Sequence, residues 1–279
     1  MVRVAFQGEP GAFSEQAIQT FFHHREATAV PHRTLRDVFT AVQSGDVPYG
    51  VIPVENSTAG TIRESYDLLF EHSLWICGQV AVHVNHCLLG LPGDKIEAIR
   101  RVYSHPQALA QCETFLRTLD AEAIAVYDTA GSAANLVREP ESGAAAIASE
   151  AAAKLYGLEV LARNIQDSPD NTTAFYVLTR EASPPAPAPG ENRTVIVLAL
   201  ADDDHPGSLF WCLGTLAFWR VNLLRIESRP SGRRPWHYLF YLELQGHVGD
   251  EACRAALTEL EGRTALLRVL GSFPATHAT

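Results

Sequence analysis

The chain has 279 residues, 47% of them hydrophobic and 19% charged, and a formal net charge of −10. That is an ordinary globular composition with room for two or three cored units. No apolar run approaches the ~20 residues that span a bilayer, and the acidic balance argues against nucleic acid and anionic membranes as partners.

In chain order, Val2 to Gln7 predicts a strand entered directly from Met1, without the basic-then-apolar pattern of a secretory signal; this predicts a cytoplasmic protein. Gly11 to His23 predicts a helix with Phe13, Ala17, Ile18 and Phe21 on one face. The His23-His24 pair at its end suits a solvated cap, and no metal-ligand spacing occurs in the chain. Tyr49 to Val54 predicts a short apolar strand. It runs into Glu55, Asn56, Ser57 and Thr58, and a helical pattern follows from Thr61 to Phe70. Such an order puts polar side chains at the carboxyl end of a strand, where open α/β sheets bind ligands, although the same residues also suit a helix cap.

Val102 to Ser104 is the next strand. Pro106 to Leu119 then predicts one helix, capped by Ser104 or His105, burying Leu109, Cys112, Phe115, Leu116 and Leu119. Ala123 to Tyr127, Ala144 to Ala148 and Phe175 to Leu178 add strands, the last preceded by the polar Asn171-Thr172-Thr173. Alternation of this kind implies a doubly wound, largely parallel α/β architecture. Ser183-Pro184-Pro185-Ala186-Pro187-Ala188-Pro189-Gly190 reads as a semi-rigid extended linker.

Beyond it, strands at Thr194–Leu200, Val221–Glu227, Trp236–Leu244 and Ala265–Leu270 and helices at Gly207–Trp219 and Asp250–Leu260 give the βαββαβ order of a ferredoxin-like unit. Of 22 basic and 32 acidic residues, nine of each fall in 193–279, which leaves 13 and 23 in the first 192. A site for an anion in that acidic body needs local donors such as helix starts, hydroxyls or amides. Cys77, Cys87, Cys112, Cys212 and Cys253 are odd in number, scattered and free of any Cys-x-x-Cys pair, which predicts free thiols in a reducing compartment.

Val54-Glu55-Asn56-Ser57, Ser104-His105-Pro106-Gln107-Ala108-Leu109 and Asn171-Thr172-Thr173-Ala174-Phe175, with the opening Gly8-Glu9-Pro10-Gly11-Ala12-Phe13-Ser14 and the late Glu227-Ser228-Arg229-Pro230, resemble the prephenate dehydratase family over essentially the whole chain. The family carries arginine where Ala174 stands here. The resemblance implies a two-lobed, periplasmic-binding-protein-like catalytic region over 1–180, with lobes of about 1–74 plus 160–180 and about 83–158. It further implies a linker over 181–192 and a ferredoxin-like ACT regulatory domain over 193–273.

It also implies decarboxylating dehydration of prephenate to phenylpyruvate with no cofactor. Aromatisation drives that reaction, so the protein has to align leaving groups and supply a proton. By resemblance Thr173 donates to the departing hydroxyl, Phe175 walls out water, Asn56 and Ser57 orient the ring, and Glu55 holds their turn. Ser104, His105 and Gln107, and Thr129, Gly131 and Ser132, would each hold a carboxylate at a helix start. Ala174 would then leave a substrate contact to another arginine, or mark an impaired or engineered enzyme, or a non-aromatising prephenate decarboxylase. A catalytically silent binding protein is the alternative of a different class. The ACT unit implies a homodimer or homotetramer that binds L-phenylalanine at Gly207, Ser208, Leu209, Leu213, Glu227, Ser228 and Arg229 and loses activity when it does.

Overall fold

A computed structural model describes residues 1–181, 187, 190–201, 205–231 and 237–275. The first lobe contains β1 (Val2–Gln7), α1 (Phe13–Phe21), β2 (Ala27–His32), α2 (Leu35–Ser44), β3 (Tyr49–Asn56), β4 (Gly60–Thr61), α3 (Arg63–Glu71) and β5 (Trp75–His83). The second contains β6 (Cys87–Gly90), β7 (Arg101–Ser104), α4 (Pro106–Ala110), α5 (Glu113–Leu116), β8 (Glu122–Ala125), α6 (Thr129–Arg138), β9 (Ala144–Ala148), α7 (Glu150–Tyr156) and β10 (Glu159–Arg163). The chain returns to the first lobe as β11 (Thr172–Thr179). It ends in β12 (Asn192–Leu200), α8 (Ser208–Phe218), β13 (Leu223–Pro230), β14 (Tyr238–Gln245), α9 (Glu251–Glu261) and β15 (Thr264–Pro274), the expected βαββαβ order.

Local sequence accounts for the element ends. Thr34 and Asp37 form a capping box at the start of α2, and Gly45 closes that helix in the left-handed conformation. Ser149 caps α7 through the Ala152 N–H, and Gly157 ends it with φ 67°. The Pro106–Leu119 segment departs from the expectation of one helix. It breaks between α4 and α5, where the Asp167 N–H donates to the Gln111 carbonyl and the Asp167 carboxylate accepts from Thr114 N. Helical bonding yields there to a loop from the other crossing segment.

Two sheets carry the fold. A five-stranded sheet in the order β10-β6-β9-β7-β8 makes the second lobe. The larger sheet runs β13-β14-β12-β15-β5-β11-β3-β1-β2, with β4 paired to β3. The largely parallel expectation is corrected to a mixed one. β1 is parallel to β2 and β3, whereas β11 runs antiparallel to both β3 and β5, because a chain that crosses to the other lobe and back must reverse direction. The second lobe also extends further than expected, since Glu159–Arg163 pairs antiparallel with β6 and the return begins only at Thr172. Most of the Pro-rich segment, and Trp236, lie outside the described residues.

The C-terminal sheet is not a separate layer. β15 meets β5 in parallel at Gly271 and Ile76, so the two sheets are one. A single apolar core joins Val54, Tyr66, Leu69, Ile76 and Tyr176 of the first lobe to Val195, Val197, Leu239, Tyr241, Leu270 and Phe273. The helical face of the C-terminal unit has its own core around Cys212, Leu216, Leu242 and Leu260. Among the described residues no helix is long and apolar enough to cross a membrane, and the five cysteines are unpaired.

Candidate active site

The site begins with an irregularity at the end of β3. Thr173 pairs with Asn56 and Ala174 with Glu55, but Phe175 pairs with Pro53, which leaves Val54 as the extra residue of a β-bulge. Period-two alternation would put Asn56 on the face of Ile52 and Val54. The bulge reverses this, so Glu55 turns with Val54 toward Tyr66 and Arg225, and Asn56 turns toward Thr173.

Asn56 is then fully used. Its Oδ1 accepts from the backbone N–H groups of Thr58 (3.1 Å) and Ala59 (2.9 Å), from the Thr58 hydroxyl (2.6 Å) and from Gln111 Nε2 (3.0 Å). Its Nδ2 donates to Asn171 Oδ1 at 2.7 Å and to Thr173 Oγ1 at 2.9 Å. Asn171 Nδ2 in turn donates to Gln111 Oε1 at 3.1 Å. Asn56, Asn171 and Gln111 thus form a head-to-tail ring of three amides, one from the first lobe, one from the segment that returns to it and one from the second lobe. Asn171 is fully buried and Thr173 nearly so. With its oxygen accepting from Asn56, Thr173 retains its own proton as the group to donate.

The two motifs singled out in sequence therefore meet: Asn56 and Thr173 are in direct contact. Ser57 ties the same turn, since its hydroxyl donates to Asp170 O at 3.0 Å and accepts from Thr172 N at 2.9 Å. Gln111, the ring's third member, lies outside the residues expected from sequence. It stands one helical turn beyond Gln107 and accepts no warning from periodicity, since it is the C-cap where the helix breaks.

Several expected contacts are otherwise engaged. Ser104 donates its single hydroxyl proton to Ile147 O at 2.7 Å, and Ser132 donates to Thr129 O at 2.6 Å, so neither proton is free for a carboxylate. The cap of α6 is Asp128 rather than Thr129, and its carboxylate occupies the Gly131 N–H at 2.5 Å, the group expected to hold an anion. Burial raises the Asp128 carboxyl and lowers the neighbouring His105 imidazole. His105 caps α4, accepting from Gln107 N at Nδ1.

Phe175 is 2% exposed and lies in the apolar layer with Val4, Phe6, Val80 and Val177, a foundation of the site instead of a wall facing ligand. Ala174 is corrected too. Its cross-strand neighbours are Glu55 and Ala81, and it packs on the core that holds Val54 and Tyr176, the sheet face opposite Thr173. A side chain there meets the Glu55–Arg225 ion pair rather than a ligand beside Thr173.

The residues expected to bind an effector divide between the faces of β13. Glu227 accepts from the Thr61 hydroxyl at 2.9 Å, and Arg229 grips Asp67 of α3 with two bonds of 3.0 and 2.8 Å. Both point at the first lobe, so Glu227 is not the free ammonium acceptor expected. Ser228 alternates to the other face, that of α8. Gly207 caps α8 with φ 91°, a conformation suited to glycine, Ser208 donates to His205 O, and Leu213 packs on the helical core, with Leu209 a turn earlier on α8.

Comparison with known proteins follows the same lines. The prephenate dehydratase family model matches residues 4–183. The chain is 45% identical over 285 residues to arogenate dehydratase/prephenate dehydratase 2, chloroplastic, of Arabidopsis thaliana, covering 98% of this chain and 73% of that one. The structure of prephenate dehydratase in complex with L-Phe from Arthrobacter aurescens is 31% identical, with TM-score 0.89 over 99% of this chain and 93% of that one. GqqA, described as a novel type of quorum quenching acylase, is 34% identical with TM-score 0.88 over 98% of both chains.

Proposed function

Because the chain belongs to the prephenate dehydratase family, we propose that it converts prephenate to phenylpyruvate, carbon dioxide and water, with Thr173 as the proton donor. The observation that carries the role of Thr173 is the hydrogen bond from Asn56 Nδ2, which occupies the threonine oxygen and leaves its proton to give. Loss of carboxylate from the quaternary carbon sends an electron pair into the ring, and the ring expels its hydroxyl. A proton must reach that oxygen as its bond breaks. A threonine is a weak acid, so its contact matters most as charge builds on the leaving oxygen. Donation from Asn56 polarises the threonine O–H and strengthens that contact.

The Arabidopsis relative is named for arogenate as well, and arogenate carries the same ring and leaving groups. An acylase chemistry like that named for GqqA needs an activated nucleophile. The hydroxyls of Ser57 and Thr173 are instead held by backbone groups and an amide, which favours a hydrogen-bond donor. Product analysis after incubation with prephenate and with arogenate separates these readings. Phenylpyruvate and phenylalanine respectively support a dehydratase. A non-aromatic decarboxylated keto acid means a decarboxylase, and unchanged substrate a binding protein.

We further propose that L-phenylalanine binds between paired C-terminal units and lowers activity. β13 ends the large sheet, and Leu224 and Ile226 on it, with Phe210, Trp211 and Phe218 of α8, are exposed. A second copy that covers these residues would complete a site at Gly207–Leu209 and Ser228. The free cysteines support a reducing compartment such as the cytoplasm; fractionation of the source cell tests it.

A further inference from the structure

His86 is a buried titratable residue at the site to which the proposed chemistry gives no part. It lies where β5 leaves the first lobe for β6. Its Nε2 is 3.0 Å from Gln111 Oε1, its Nδ1 is buried without a hydrogen-bond partner, and its ring stands edge-on to Phe13 at 5.6 Å.

The direction of the hydrogen bonds can be worked out from groups whose roles are fixed. Backbone N–H groups only donate, so those of Thr58 and Ala59 require the oxygen of Asn56 to face them. Asn56 must then present its nitrogen to Asn171 and Thr173. Gln111 must present its nitrogen to Asn56 Oδ1, which turns its oxygen toward Asn171 and His86. That oxygen accepts, so His86 must carry a proton on Nε2. The alternative tautomer would aim a lone pair at the Gln111 oxygen and bury an unsatisfied N–H at Nδ1, two penalties at once. Burial lowers the imidazole's proton affinity, in keeping with a neutral ring.

We infer that His86 is a positioning residue of this site, whose Nε2–H holds Gln111 in the one orientation that leaves the Thr173 proton available to the ligand. The inference rests on the dehydratase reading for its kinetic consequence, but not for the tautomer. If Gln111 rotates its amide, its oxygen meets Asn56 Oδ1 and its nitrogen meets Asn171 Nδ2, so the ring opens. Asn56 keeps the orientation set by the Thr58 and Ala59 N–H groups but loses the amide contacts that fix its Nδ2 against Thr173. His86 and Asn171 occupy the two acceptor sites of Gln111 Oε1, so loss of His86 leaves that oxygen with one donor, while Gln111 Nε2 still donates to Asn56 Oδ1 and to the Thr58 hydroxyl.

The test joins spectroscopy to kinetics on the full-length protein. Nitrogen-detected NMR of the unliganded protein, with the His86 ring assigned by its disappearance in His86→Gln, should show a neutral ring protonated at Nε2. A proton on Nδ1 would overturn the inference whatever the activity. His86→Leu should lower kcat about tenfold or more with KM within about threefold, and His86→Gln, whose amide N–H reaches a similar place, should restore kcat to within about threefold. A folded His86→Leu protein with kcat within twofold of the parent would refute the positioning role. Should His86→Leu fail to fold, the ring NMR and the activity of His86→Gln decide: an Nε2–H ring with near-parent turnover supports the role, and a folded, inactive His86→Gln overturns it. If the parent forms no aromatised product, the functional reading falls, while the tautomer still stands or fails by itself.

Discussion

Thr173 and Asn56 are 117 residues apart in sequence, yet one hydrogen bond joins them, and on it rests the proposed role of the threonine. Thr173→Ala should lower kcat by about 10²–10³-fold with a small change in KM, as for removal of a donor aimed at developing charge, and steady-state kinetics checks it. Ala174→Arg should leave kcat within about threefold of the parent. A guanidinium there projects onto Glu55, where Arg225 already sits, and not toward Thr173; a large gain in turnover would contradict that geometry. The residues carrying this site were legible in part. Asn56 and Thr173 stood out because polar groups ended apolar strands. The facing of Glu55, Asn56 and Ala174 was not, since one bulged residue inverts the alternation and leaves no mark in composition. Gln111 escaped because a helix that breaks to admit Asp167 has the same apolar spacing as one that does not.

At the scale of elements, β13 is fastened to the first lobe by charge. Arg225 meets Glu55 and lies 3.6 Å from Glu243, a carboxylate only 2% exposed that also receives Arg193 at 2.5 Å and the Tyr176 hydroxyl at 3.0 Å. Burial raises the Tyr176 hydroxyl well above its ordinary range, so it remains a neutral donor. In the Arg229–Asp67 pair the carboxylate is 42% exposed and screened by solvent, so Arg229→Ala should cost about 1 kcal/mol or less in denaturant unfolding. Its larger effect should be regulatory: β13 connects the proposed effector face to Glu55, next to Asn56. Phenylalanine inhibition is expected to weaken at least fivefold in Arg229→Ala with basal kcat little changed, as dose–response curves would show. Element order was readable because the apolar spacing switches cleanly between strand and helix. That β13 faces the first lobe was not, because it carries large side chains on both faces, Arg225 and Glu227 on one and Ile226 on the other, a pattern that suits either side of a sheet.

For the whole molecule, a boundary near residue 180 reads well in sequence and badly in space. The core that joins Ile76 and Tyr176 to Val197, Tyr241 and Phe273 crosses it. A chain ending at Arg180 should therefore expose that surface and aggregate, as size-exclusion chromatography would reveal; a stable monomer would count against a shared core. Composition gave no sign of this, since proline-rich segments usually separate bodies that fold alone.

The shared sheet also limits which part of the molecule could swing. With C-terminal and first-lobe strands joined in one plate, any opening would fall to the second lobe, hung on the segments after β5 and before β11. His86 lies in the first of these hinges and Asn171 at the end of the second, with Asn56 on the plate and Gln111 on the swinging lobe. The amide ring closes only when both hinges and both lobes are in register. Were the second lobe to swing away, Asn56 and Thr173 would stay paired on the plate and Gln111 alone would leave, so the ring would register the closed shape through that one amide.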